Sequence, residues 1–91
     1  MTEKFTKKRV TIQYDDPNAR EVYLVGTFNG WNKSANPMKK NRAGTWTTSV
    51  NLIPGTYEYL FLVDGDFTED PNARFSEPNK FEGYNSKIIV E

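Results

Sequence analysis

The 91 residues suffice for one small domain, and aromatic side chains, 14% of the total, are plentiful enough to give it a compact core. Twelve Lys and Arg balance 12 Asp and Glu, so the basic surface that nucleic acid requires is missing. With no Cys and no His, disulfides, thiol chemistry, Cys-based zinc sites and the Ser-His-Asp and Cys-His arrangements are excluded, which leaves carboxylates, lysines and tyrosines as the only candidates for catalysis.

The chain opens on Met1-Thr2-Glu3-Lys4-Phe5, which lacks the apolar stretch of a secretion signal. No apolar run approaches the roughly 18 residues that span a bilayer. The expectation is a cytoplasmic protein without membrane contact. The basic run Lys4, Lys7, Lys8, Arg9 reads as the solvated edge of a first strand. In that strand Val10, Ile12 and Tyr14 alternate with Arg9, Thr11 and Gln13. Val22 to Val25 is a continuous apolar run, as a strand buried on both faces would be. Trp46, Thr48, Val50 and Leu52 alternate with Thr47, Ser49 and Asn51; Tyr57, Tyr59, Phe61 and Val63 alternate with Glu58, Leu60 and Leu62; Ile88, Ile89 and Val90 close the series. Met38 to Lys40 and the region of Phe67 can add short strands, and no segment sustains a helical period.

Turn chemistry separates these runs. Asp15-Asp16-Pro17-Asn18 ends the first strand, Asn41-Arg42-Ala43-Gly44 precedes Trp46, and Pro54-Gly55 precedes Tyr57. Asp64-Gly65 is a pair preferred in tight hairpins, because both positions tolerate positive φ. Asp16-Pro17-Asn18-Ala19-Arg20 recurs as Asp70-Pro71-Asn72-Ala73-Arg74 without any repeat of the flanks, so both copies read as turns rather than as a duplication. Short strands at regular spacing with such turns predict an all-β, two-sheet antiparallel sandwich, one domain over 1–91. Its predicted core is Val10, Ile12, Val22, Leu24, Phe28, Trp46, Val50, Tyr59, Phe61, Ile88 and Val90.

Two segments carry candidate binding residues. In Val25-Gly26-Thr27-Phe28-Asn29-Gly30-Trp31-Asn32 a strand runs into a polar loop. Phe28 can turn inward, whereas Trp31 lies outside the alternating pattern and offers a flat indole face, suited to the C–H-lined face of a pyranose ring. In Phe61-Leu62-Val63-Asp64-Gly65-Asp66-Phe67 a strand enters a hairpin and Phe67 emerges just beyond it.

These segments make a recognisable series: Gly26-Thr27-Phe28-Asn29-Gly30-Trp31, Gly44-Thr45-Trp46, Pro54-Gly55-Thr56-Tyr57-Glu58-Tyr59, Phe61-Leu62-Val63-Asp64-Gly65, and Asn85 before Ile88-Ile89-Val90. The chain resembles, over roughly 10–90, the family-48 carbohydrate-binding modules, which include the isoamylase N-terminal early-set domain and the glycogen-binding domain of the AMP-activated kinase β subunit. The resemblance implies an immunoglobulin-like sandwich that binds α-1,4-linked glucose chains without catalysing a reaction, and needs no cofactor or metal. It implies that Trp31 and Phe67 stack on sugar, Phe67 standing where glycogen-binding members have a second tryptophan. It puts an apolar loop residue near Phe81, with Tyr84 as the neighbouring alternative, and a sugar-bonding asparagine at Asn85. A lysine that hydrogen-bonds the sugar in those members falls on Leu60, which by strand parity faces away from Tyr59 and Phe61 and towards the ligand.

Two other readings are open to the sequence. Asp64, Asp66, Glu69 and Asp70 form an acidic cluster, and glycoside hydrolysis needs a carboxylate pair; their position at a hairpin tip among turn formers reads instead as solvated turn acids. The second is a positioning module that has weakened sugar binding and uses Leu60, Trp31 and Phe67 as an apolar patch for a glucan-metabolising enzyme domain.

Overall fold

The computed structural model describes residues 6–81 and 83–91. The opening segment through Phe5, with Lys4 of the basic run, lies outside the described residues. The described chain is an antiparallel β-sandwich. Its strands are β1 (Lys8–Asp15), β2 (Val22–Gly26), β3 (Lys39–Lys40), β4 (Thr45–Leu52), β5 (Gly55–Val63), β6 (Asp66–Thr68), β7 (Phe75–Pro78) and β8 (Tyr84–Val90). A 3₁₀ turn, Thr27–Asn29, follows β2. One sheet has the order β1-β4-β3 and the other β2-β5-β8-β7, with β6 paired to β5. All five expected strands form, as do the two short ones at Lys39–Lys40 and Phe67. Strand β7 escapes the sequence pattern: it is four residues long, mostly exposed and ends in proline, so no apolar alternation marks it.

Alternation in each strand sorts side chains between core and surface. Ile12 and Trp46 from one sheet and Val22, Leu24, Tyr59 and Phe61 from the other are buried together, with Val10, Tyr14, Phe28, Val50, Val63 and Ile88 packed against them. Tyr14 reaches across to Phe61, ring centroids 4.8 Å apart, and so joins the two sheets. Val90 is buried as expected, and Ala19, Val25, Met38 and Leu52 join the buried set from outside the predicted core. Val25 alternates away from Leu24 yet is fully buried, so β2 is covered on both faces, as its unbroken apolar run requires.

Both copies of the repeated pentapeptide are turns, each built on its aspartate. The Oδ1 of Asp16 accepts from the Asn18 and Ala19 N–H groups, and that of Asp70 from the Asn72 N–H. Each turn also anchors an aromatic side chain. The buried Trp46 indole donates to the Asp16 carbonyl at 2.9 Å, and the Tyr59 hydroxyl donates to the Asp70 carboxylate at 2.7 Å. Burial, with that hydrogen bond next, holds the Tyr59 phenol well above the usual tyrosine range. The acidic cluster is therefore taken up in turn construction at Asp70, and likewise at Asp64, whose Oδ1 accepts from the Arg20 and Glu21 N–H groups.

The pairing of β5 sets up the surface feature that matters most. One edge of β5 carries β2 along Tyr59–Val63. On the opposite edge β8 pairs with Gly55–Tyr59 and β6 with Phe61–Val63. The partner changes at Leu60, and this junction brings residues from three strands and two loops together on the outer face.

Candidate functional site

Outward-facing residues around the junction line an open cleft of about 560 Å³. Glu58 and Leu60 of β5 lie on its floor, Phe67 of β6 and Asn85 of β8 come from the strands paired to β5, and Trp31 and Phe81 come from loops. Five of the six residues singled out from the sequence thus share one cleft. The sixth, Tyr84, is exposed and is not part of the lining. On β8 it has the parity of Ser86, which is buried against the interior, whereas Asn85 between them faces outward. Of the two alternatives for the apolar loop residue, Phe81 is the one at the cleft. A second hollow of about 350 Å³ near Phe75 and Ile89 holds none of these residues.

Trp31 is presented by a tightly bonded loop. Gly26 ends β2 where an added Cβ would meet the Glu58 carbonyl oxygen at 2.5 Å and the Phe28 ring at 2.7 Å, so only glycine fits. Gly30 and Trp31 follow with φ of 66° and 59°. A left-handed conformation is unfavourable for a residue with a bulky side chain, and it is held here by the surrounding bonds. The Trp31 N–H donates to the Gly26 carbonyl at 2.9 Å. The Asn29 side chain does the rest. Its Oδ1 accepts from the Gly26 and Asn32 N–H groups, and its Nδ2 donates to the Leu24 carbonyl and to Asn36 Oδ1. Four bonds use the full capacity of the amide. Trp31 emerges 36% exposed, against 6% for Trp46, which separates the two tryptophans as their sequence contexts predict.

Phe81 is held by a loop of the same design. Asn79 Oδ1 accepts from the Phe81 and Gly83 N–H groups, and Asn79 Nδ2 donates to Asn85 Oδ1 at 3.2 Å. Asn85 Nδ2 in turn donates to Glu58 Oε1 at 3.1 Å. This Asn79–Asn85–Glu58 relay fixes which way the Asn85 amide faces and leaves one donor and one acceptor position on it for a ligand. Phe67 is placed by the Asp64-Gly65 hairpin, whose φ values of 48° and 90° meet the expectation of two positive-φ residues.

Sequence reasoning missed Glu58, Lys33, Asn79 and Lys80, all of which line the cleft. For Glu58 the signal was available, since it shares the parity of Leu60. Asn79, two residues before Phe81, stands as Asn29 does two before Trp31, and that shared spacing was legible. Lys33 and Lys80 carried no signal beyond their proximity to the aromatics. The lining as a whole is aromatic and aliphatic surface with a few amide and charged groups at its margin, suited to a ligand with flat C–H faces and peripheral hydroxyls.

The model of the family described as the glycogen recognition site of AMP-activated protein kinase matches residues 8–91. The chain belongs to this family. It is 41% identical over 64 residues to the protein FLOURY ENDOSPERM 6, chloroplastic, of Oryza sativa subsp. japonica, an alignment covering 70% of this chain and 12% of that protein. It is 40% identical over 53 residues to the 5′-AMP-activated protein kinase subunit beta-1 of Sus scrofa, covering 58% of this chain and 41% of the subunit. Among solved structures, a maltogenic amylase from S. marinus superposes over 98% of this chain and 15% of the amylase, with a TM-score of 0.78 and 21% identity, which fixes the fold. The chain spans a minor part of each of these proteins.

Proposed function

We propose that this domain, as a single unit, binds α-1,4-linked glucans such as glycogen, starch and maltooligosaccharides by stacking glucose rings on Trp31, Phe67 and Phe81, with Asn85 bonding to sugar hydroxyls. The observation that carries the proposal is the convergence of these four residues, from two loops and two strands, on one open cleft. Placing the rings on separate elements gives a curved cradle, which suits the helical twist of an α-glucan better than the flat ribbon of cellulose. Membership in a glycogen-recognition family points the same way. The domain itself is non-catalytic on this reading. Among the described cleft residues Glu58 is the one carboxylate, whereas glycoside hydrolysis employs two.

Burying a few hundred Å² of apolar surface yields at most several kcal/mol before ordering costs, at roughly 25 cal/mol per Å². Affinity for a single chain is then roughly micromolar to millimolar, and a polymer compensates by offering many sites. The test is an NMR titration with maltoheptaose beside retention on starch and cellulose gels. Shifts concentrated at Trp31, Phe67, Phe81 and Asn85, with retardation on starch alone, are expected. Equal retention on both gels would refute the cradle.

The apolar Leu60 between the aromatics favours a second reading, in which the same face docks a glucan-metabolising enzyme domain. Absence of starch and glycogen binding, together with capture of such an enzyme, would select it. Among the described residues no helix is long and apolar enough to cross a membrane. Cytoplasmic residence stays a proposal, and the name of the rice relative includes the word chloroplastic.

A further inference from the structure

Most polar groups of the cleft are already engaged with one another. Asn85 is bonded on both sides, to Asn79 and to Glu58, and the Thr27 hydroxyl accepts from the Glu58 N–H. Leu60, Phe67 and Phe81 offer no donor. Lys33 differs. It lines the cleft two residues after Trp31, and its Nζ lies 5.6 Å from the centroid of the Phe67 ring. Among the described residues it has no carboxylate partner; the ion pair found there is between Lys87 and Glu77. Its ammonium therefore spends its three donors on solvent and its charge on an aromatic face that a sugar would also use.

We propose that Lys33 is a ligand-contacting residue of this cleft, an inference that rests on the glucan reading above. In this structure its ammonium sits on the Phe67 ring. As a glucose unit stacks there, the ammonium moves off the ring and donates hydrogen bonds to the sugar hydroxyls at its edge. The lysine thus supplies, from the Trp31 loop, the strong donor that Leu60 does not supply from the floor. Its flexible stem makes the move inexpensive, and a cation–π contact at an exposed site is weak enough to exchange.

The experiment is a maltoheptaose titration of the wild type, Lys33→Met and Lys33→Arg, with Lys33 side-chain proton shifts followed by NMR. Lys33→Met keeps the stem and loses the ammonium, and weakens binding by about tenfold, the scale of a hydrogen bond from a charged donor. Lys33→Arg retains most of the affinity. The Lys33 ε-methylene protons start upfield, shielded by the Phe67 ring, and move towards solvent-exposed values as sugar is added. Unchanged affinity in Lys33→Met overturns the proposal, and tighter binding does so as well, because it would show that the ammonium only obstructs the ring. If the wild type itself fails to bind at millimolar sugar, the glucan reading of the cleft falls, and this inference with it. Melting temperatures that match across the three proteins exclude a folding artefact.

Discussion

The Trp31 loop and the Phe81 loop solve one problem with one residue type, and they end differently. In each, an asparagine two positions before the aromatic gathers two main-chain N–H groups onto its Oδ1. Asn29 then bonds onward to the carbonyl of Leu24, a fully buried core residue, and to Asn36. Asn79 bonds onward to Asn85, a residue of the cleft itself. One loop is fastened to the sandwich and the other to the cleft. The exposure of the aromatics follows, 36% for Trp31 and 88% for Phe81. On the proposed glucan reading, a ring tied to the scaffold is a platform whose ordering cost is met on folding, whereas a side chain as exposed as Phe81 has more of its ordering left to the ligand.

Asn29→Ala breaks this contrast most severely. It strips two N–H groups and a carbonyl of their partners beside a backbone already held in the left-handed region. We expect a stability loss of about 2 kcal/mol or more, with glucan binding lost as well. Chemical denaturation and the maltoheptaose titration measure the two losses. Trp31→Ala follows, with a division the first lacks. Loss of a stacking ring costs about 2 kcal/mol or more of binding, while stability changes by within about 1 kcal/mol because the side chain is outside the core. A drop of ten degrees or so in melting temperature would exceed what about 1 kcal/mol produces in a domain this size and would make Trp31 a core residue.

The two loops also mark where the sequence was legible. Strand alternation predicts the sandwich and seven of its buried residues, Ile12, Val22, Leu24, Trp46, Tyr59, Phe61 and Val90, because a half-buried strand must alternate; Val10, Phe28, Val50 and Ile88 prove only partly buried. Trp31 and Trp46 were told apart on the same ground, since Trp46 keeps the period of Val50 and Leu52 and Trp31 breaks it. Alternation is silent where residues are positioned by hydrogen bonds rather than by burial. Strand β7, the anchoring roles of Asn29 and Asn79, and the placement of Lys33 over Phe67 all belong to that class. Met38 and Ala19 were missed for a related reason: each is buried by a loop folding back over the core, through the Met38 N–H to Val22 carbonyl bond and the Asp16 turn.

Smaller effects are expected on the Phe81 side. Phe81→Ala should weaken maltoheptaose binding by about 1 kcal/mol, less than Trp31→Ala, and leave the melting temperature unchanged, because so exposed a ring contributes little to folding. Phe67→Ala should fall between the two, the ring being smaller than an indole but less exposed than that of Phe81. Calorimetry on the three variants ranks them, and an effect of Phe81→Ala equal to that of Trp31→Ala would end the distinction between platform and adaptable ring. Leu60→Lys, which puts a donor on the cleft floor, is expected to tighten binding modestly.

The least of these effects separates the Trp31 loop from the hairpin that carries Phe67. Asparagine amides do not titrate, and the Asn29 bonds that anchor Trp31 involve no ionisable side chain. The Phe67 hairpin is tied by a carboxylate, Asp64, whose Oδ1 accepts from the Glu21 and Arg20 N–H groups at 2.8 and 2.9 Å. Those two backbone hydrogen bonds hold its acid below the ordinary aspartate range. A depressed folded-state value means that the contribution to stability is present above the unfolded value, near 3.9, and disappears as pH falls through the folded one. Hairpin order is therefore expected to be flat from about pH 7 to pH 4, with Phe67 signals responding before those of Trp31 on further acidification. Asp64→Asn keeps an acceptor oxygen, tolerates the φ of 48° and removes the titration. NMR shifts of Phe67 and Trp31 followed from neutral pH downward test this. In the wild type Phe67 should move before Trp31, in Asp64→Asn the two should move together, and a Trp31 shift that leads in either protein would place the acid-sensitive anchor elsewhere.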